Sequence, residues 1–280
     1  MTSVSIDYEA EFDSTRTAPG FAEILAGWAP AAAAYRAAAK AELGLAYGPR
    51  PRNRLDLFLP GGPPAGAVAM FIHGGFWMSF DGSHFSHMAR GPVAHGVPVA
   101  VPTYSLCPEV TLGDIVDEMR AAVAMLWRRF ELPVVVAGHS AGGHLAAAML
   151  ATDWPAFDPG LPPRVVRAAY AISGVFDLDP LLGIGINDAL RLTPETSLAW
   201  SPIHWMPPPG APLDAVVGAD ETGEHRRQCR AMVDAWNARG AAARYEEIAG
   251  RNHFDVIAPL AEPGSAMTRR ILELAAARPG

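Results

Sequence analysis

From about Arg54 onward, short apolar runs alternate with helical patterns, and this alternation constrains the fold more than any other feature of the chain. Val68–Ile72, Val97–Val101, Pro133–Ala137, Ala168–Ile172, Asp214–Val217 and Arg244–Ile248 read as strands. Ahead of them, Leu55, Leu57 and Leu59 alternate with Asp56 and Phe58 up to Pro60, which reads as a partly exposed strand. Between the strands, Thr111–Phe130 repeats its apolar residues at three- and four-residue steps, with Thr111 and Asp114 placed to cap its start. Ser83–Ala94, Gly142–Ala151, Glu224–Arg239 and Ser265–Ala277 read as further helices. A β-α-β-α order requires a mostly parallel twisted sheet covered by helices on both faces, with right-handed crossovers. Two stretches break the rhythm: an Ala-rich helical segment at 20–45 and a Pro-, Gly- and aromatic-rich segment at 174–212. The expectation is one α/β domain over residues 1–280. Residues 1–45 form its N-terminal helical cover, and 174–212 form a lid-like insertion over the C-terminal sheet edge, where open α/β sheets bind ligands.

Charge removes several functions. The chain of 280 residues carries 22 Lys+Arg against 29 Asp+Glu, a net charge of −7, with no basic block to displace counterions from nucleic acid. Lys40 is its single lysine, so neither a GxxxxGK[ST] phosphate loop nor a supported Schiff-base lysine is available. Cys107 and Cys229 form no disulfide framework. The polar, acidic start lacks the features of a signal peptide, and no apolar run reaches the ~20 residues of a membrane span. The expected setting is cytoplasmic, without membrane or nucleic-acid partners; a homodimer is compatible with it.

Three motifs carry chemistry. Gly138-His139-Ser140-Ala141-Gly142 follows a strand and opens a helix, the context of a nucleophile elbow. A sharp strand-to-helix turn crowds the neighbouring Cβ atoms, and glycine at both flanks removes the clash. Chance alone gives about 0.1 such matches in a chain this rich in glycine. His73-Gly74-Gly75-Phe76-Trp77 follows the strand ending at Ile72. Its bare glycines can aim N–H groups at a developing oxyanion, with the Ala141 N–H as the third donor. Asn252-His253-Phe254 lies late in the chain after another strand, where a general base belongs in the order Ser…acid…His. His73, His139 and His144 lie beside the other motifs and fit local packing, His84 and His87 lack further metal ligands, and His95, His204 and His225 have no supporting context. The acid falls after Asp214–Val217, where Asp220 and Glu221 serve equally on spacing.

These motifs resemble the α/β-hydrolase superfamily, and within it the HGG-containing group typified by hormone-sensitive lipase. Tyr104-Ser105-Leu106-Cys107-Pro108 is similar to that group's YxLxP segment. The likeness is closer to the kynurenine formamidase (arylformamidase) branch, through Tyr47-Gly48, Arg54-Leu55-Asp56-Leu57-Phe58, HGGFW, GHSAGGHL, SGVFDLDPL, Ser201-Pro202, VVGADETGEHRRQ and NHFDV, which together span about 47–256. The resemblance implies an α/β-hydrolase fold and Glu221 as the acid, with Asp220 the alternative. It also implies a small aromatic ester or amide as substrate, with Phe76, Trp77 and Phe176, and also Trp200 and Trp205, as pocket walls. No metal or cofactor is implied, and the His-rich signature of the metal-dependent kynurenine formamidases is missing. The expected reaction is two-step acyl transfer by a serine hydrolase that is arylformamidase-like. A carboxylesterase for short acyl chains is the second reading, and a binding protein that has lost catalysis the least favoured.

Overall fold

The computed structural model describes residues 6–277 and contains an eight-stranded sheet. Its strands are β1 (Ala41–Ala46), β2 (Arg54–Phe58), β3 (Val68–Ile72), β4 (Val99–Thr103), β5 (Val134–His139), β6 (Val166–Ile172), β7 (Pro212–Gly218) and β8 (Ala242–Ile248). Their spatial order is β1-β2-β4-β3-β5-β6-β7-β8. The β1–β2 and β2–β4 pairs are antiparallel and all later pairs parallel.

Every residue of β3 and β5 is buried, as expected of strands covered on both faces. One apolar cluster lies on each side of the sheet. Leu112–Phe130 and Ala141–Leu150 pack on one side, and Ala266–Ala276 on the other. The Leu112–Phe130 helix begins with the reciprocal cap that its sequence implies, Thr111 and Asp114 each receiving the other's backbone N–H.

β1 is an unforeseen element. Residues 20–45 divide into a helix, Phe21–Ala38, and this edge strand. The sequence AELGLA has weak strand propensity. Pairing with β2 sets its conformation, and the Asp56 carboxylate accepts the Gly44 N–H at 2.9 Å where the ladder slips. Ser83–Ala94 likewise divides into a 3₁₀ stretch, Gly82–Ala89, and a short helix, Arg90–Ala94. Among the described residues no helix is long and apolar enough to cross a membrane.

The strand register places the C-terminal ends of the parallel strands side by side. Ile72 is opposite Gly138, His139 opposite Ile172, Ile172 opposite Val216, and Gly218 opposite Ile248. The loops after β3, β5, β6, β7 and β8 therefore share one edge. The chain leaves β3 for β4 on one side and then crosses back past β3 to β5 on the other, and this reversal opens a crevice at that edge.

Candidate active site

Ser140 sits at the turn between β5 and the Ala141–Leu150 helix with φ 56° and ψ −117°, a conformation that costs a non-glycine residue about 1–3 kcal/mol. The turn is possible only because its flanks lack side chains. A Cβ on Gly138 would stand 2.0 Å from the Gly142 carbonyl oxygen, and one on Gly142 would stand 2.0 Å from that of Ile72. The Ser140 N–H donates to Ile172 at 2.8 Å, fastening the turn to β6.

The glycine loop after β3 lies against this turn. A Cβ on Gly74 would approach the Ser140 Cβ to 3.0 Å, and Gly75 adopts φ 108°. Among the described residues the N–H groups of Gly74, Gly75 and Ala141 donate to no protein acceptor. Behind the loop, the buried His73 ring stacks on Tyr104 at 4.2 Å, and the Tyr104 hydroxyl donates to the His73 carbonyl at 3.0 Å. Burial holds His73 neutral, its pKa lowered to about 4.

His253 and Glu221 meet in the interior, with His253 Nδ1 and Glu221 Oε2 2.6 Å apart. The other carboxylate oxygen, Oε1, accepts the Ser173 hydroxyl at 2.5 Å and the Gly218 N–H at 2.7 Å. Asp220, beside it in sequence, is exposed and takes no part in this pairing. Burial lowers the pKa of His253, so the imidazole is neutral and able to accept a proton.

Ser140, His139 and His253 share a cavity of about 330 Å³ with Gly74, Gly75 and Phe76. Phe12, Trp28, Phe80, Phe85 and Phe254 form its aromatic wall.

A sequence model of the α/β-hydrolase fold matches residues 69–180. A crystal structure of a candidate thioesterase from Silicibacter sp. TM1040 is 34% identical, with a TM-score of 0.84, over 96% of this chain and 100% of that one. The chain is an α/β hydrolase. Curated relatives include kynurenine formamidases of Danio rerio, 27% identical over 81% of this chain and 80% of that protein, and of Salmo salar, 26% identical over 85% and 83%.

Two of the pocket residues expected of the hydrolase belong to its core instead. Trp77 is fully buried, its ring edge-on to His144 at 5.1 Å. Phe176 is also fully buried and fills the space over Gly174, where a Cβ would stand 2.3 Å from the ring. Neither lines the cavity, whereas Phe76 does. Residues 174–212, including Trp200 and Trp205, contribute nothing to the lining. The cover comes from Phe12, Asp13, Ser14 and Thr15 of the N-terminal segment and from Trp28 of the Phe21–Ala38 helix.

Three polar residues at the site went unrecognised in the sequence. Ser173, buried with φ 52°, directs its hydroxyl at Glu221. His225 stacks on the His253 ring at 4.4 Å, and its Nε2 lies 3.2 Å from the Ser14 Oγ. Ser173 follows a strand end and opens the SGVFDLDPL stretch, the two sequence signals available. Ser14 and His225 are 211 positions apart, and no local pattern links them.

Glu221, His225 and His253 place potential metal-ligand atoms within 4.8 Å of one another. In this arrangement Glu221 Oε2 and His253 Nδ1 are already joined to each other, and the His225 Nε2 to Ser14. The geometry is that of an oriented base: a carboxylate fixes the tautomer of an imidazole whose other nitrogen is left for a substrate-side partner.

Proposed function

We propose that the protein is a serine hydrolase that cleaves a carboxylic ester or an aryl formamide through an acyl-enzyme on Ser140. The observation that carries this reading is the buried 2.6 Å pairing of His253 with Glu221 beside a strained serine in one cavity. His253 removes the Ser140 proton as the oxygen attacks the substrate carbonyl, and the N–H groups of Gly74, Gly75 and Ala141 hold the oxyanion. His253 then protonates the departing amine or alcohol. Water, deprotonated by His253, attacks the acyl-enzyme; collapse of that intermediate frees the acid and returns the proton to Ser140. Glu221 accepts the Nδ1–H throughout and stabilises the imidazolium.

The named kynurenine formamidase relatives support a formamidase-like activity. The apolar wall of the cavity favours, as a second reading, a carboxylesterase for short acyl chains. The two buried free thiols, Cys107 and Cys229, fit a reducing, cytoplasmic setting.

The test compares kcat/KM on N-formylkynurenine, p-nitrophenyl acetate and p-nitrophenyl butyrate, with Ser140→Ala as control. The variant is expected to lose about 10⁶ in kcat. A fluorophosphonate probe is expected to label Ser140 alone by mass spectrometry. Turnover that survives Ser140→Ala would remove the reading.

A further inference from the structure

The cavity beside Ser140 carries a charge pattern that acyl transfer does not require. Among the described residues no arginine or lysine lines it, and apart from the two histidines its one ionisable group is Asp13. Asp13 is fixed in place: its Oδ1 accepts the Thr15 N–H at 3.1 Å and the Thr15 hydroxyl at 2.6 Å. It is also exposed, which sets it at the rim. Ser14, the next residue, is anchored to His225. Two arginines near this region do not supply a counter-charge inside. Arg52 gives its Nε to the Tyr104 carbonyl at 2.7 Å and its Nη2 to that of Phe80 at 2.5 Å. Arg16 is exposed and is not part of the lining.

A substrate bearing a carboxylate at the end remote from the scissile bond would therefore lose water against Phe12, Trp28 and Phe254 without gaining a partner. It would also meet the like charge of Asp13, and the net charge of −7 lowers the local concentration of anions before binding.

Resting on the hydrolase reading above, we propose that the cavity selects aryl esters and aryl formamides that carry no carboxylate, neutral or cationic at their remote end. Asp13 is the specificity-determining residue. Aryl acyl compounds whose remote end is a lone carboxylate are then poor substrates.

Two matched pairs test this. One compares 4-formamidobenzoate with formanilide, which retains the aryl formamide but lacks the carboxylate. The other compares p-nitrophenyl hemiglutarate with p-nitrophenyl valerate. The wild-type protein is expected to favour the uncharged member of each pair by roughly 100-fold in kcat/KM, the scale of an ionised group buried without a partner. Asp13→Asn keeps an oxygen for the Thr15 cap and removes the charge. It is expected to narrow both ratios by about 3–10-fold. Raising ionic strength is expected to narrow the wild-type ratios too, because Asp13 is exposed.

Ratios within about 3-fold in the wild type, or unchanged by Asp13→Asn, would overturn the proposal. So would an Arg16→Ala variant that loses only the carboxylate-bearing substrates, since Arg16 would then be their counter-ion. If the wild type turns over no member of either pair, or Ser140→Ala matches it, the hydrolase reading falls and takes the selectivity with it; a serine-dependent enzyme with no charge preference refutes the selectivity alone.

Discussion

Replacing Glu221 with glutamine tests the site in a way that its hydrogen bonds make quantitative. Oε1 receives two donors, Ser173 and Gly218, and the Gly218 N–H can only donate. The glutamine carbonyl must therefore take the Oε1 position, which turns its NH₂ group toward His253 Nδ1. An NH₂ group cannot accept, so Nδ1 must become the acceptor and the ring proton must move to Nε2. A His253 protonated there cannot take the proton of Ser140. The expected result is a fall in kcat of about 10⁴, or ~5.5 kcal/mol of transition-state stabilisation, with the fold preserved. Steady-state hydrolysis of p-nitrophenyl butyrate reads it, with circular dichroism as the control for folding. Residual activity should climb with pH as hydroxide replaces the lost base. Asp220→Asn, at an exposed position, is expected to change kcat by less than about 3-fold. A loss below about 30-fold for Glu221→Gln, or a larger loss for Asp220→Asn, would refute the tautomer argument.

Ser173→Ala removes one donor from a buried carboxylate and is expected to cost about 1.5–3 kcal/mol, a Tm fall of roughly 3–5 °C, with kcat down about 10-fold; an unchanged melting curve would contradict it. Gly142→Ala forces a Cβ against the backbone of Ile72 and is expected to cost about 3 kcal/mol or more in urea unfolding; a loss under about 1 kcal/mol would show that the turn can relax. Burial lowers the pKa of six histidines, His253 and His87 among them, and the four fully buried ones outside the base itself fall to about 4 for His73 and His144 and about 3 for His139 and His225. The unfolded chain thus binds protons first as pH falls below about 6.5, so their contribution is complete above that pH and lost between there and pH 4 for His73 and His144, and pH 3 for His139 and His225. The loss is about 1 kcal/mol each from pH 7 to 5.5, seen as a steep fall in the urea midpoint; a flat midpoint over that range would refute it.

Features set by near neighbours were legible before any coordinates. Val68–Ile72 emerges as a strand with the same ends that its apolar run has, and Thr111 caps its helix with Asp114 as their spacing implies. Features that depend on distant partners were not. Asp220 and Glu221 are equivalent by spacing; the donors Ser173 and Gly218, together with His253, distinguish them in space. Trp77 and Phe176 follow conspicuous motifs, yet the left-handed backbone at Phe76 and Trp77 and the space over Gly174 send both rings into the core. The aromatic wall from Phe12 and Trp28 lies far in sequence from every motif it serves, and β1 owes its form to its pairing partner. These are tertiary effects, which outweigh local propensity wherever the two conflict.

The anchoring of Ser14 to His225 has a temporal consequence. Residues 12–15 leave the ribosome early, yet their docking surface is not made until translation has passed position 225, and the His253 loop beside it follows later still. Neither the chamber nor its roof can therefore be completed until nearly the last loop has emerged. Such long-range closure is slow compared with helix formation, so onset of turnover after refolding should lag behind recovery of the helical signal.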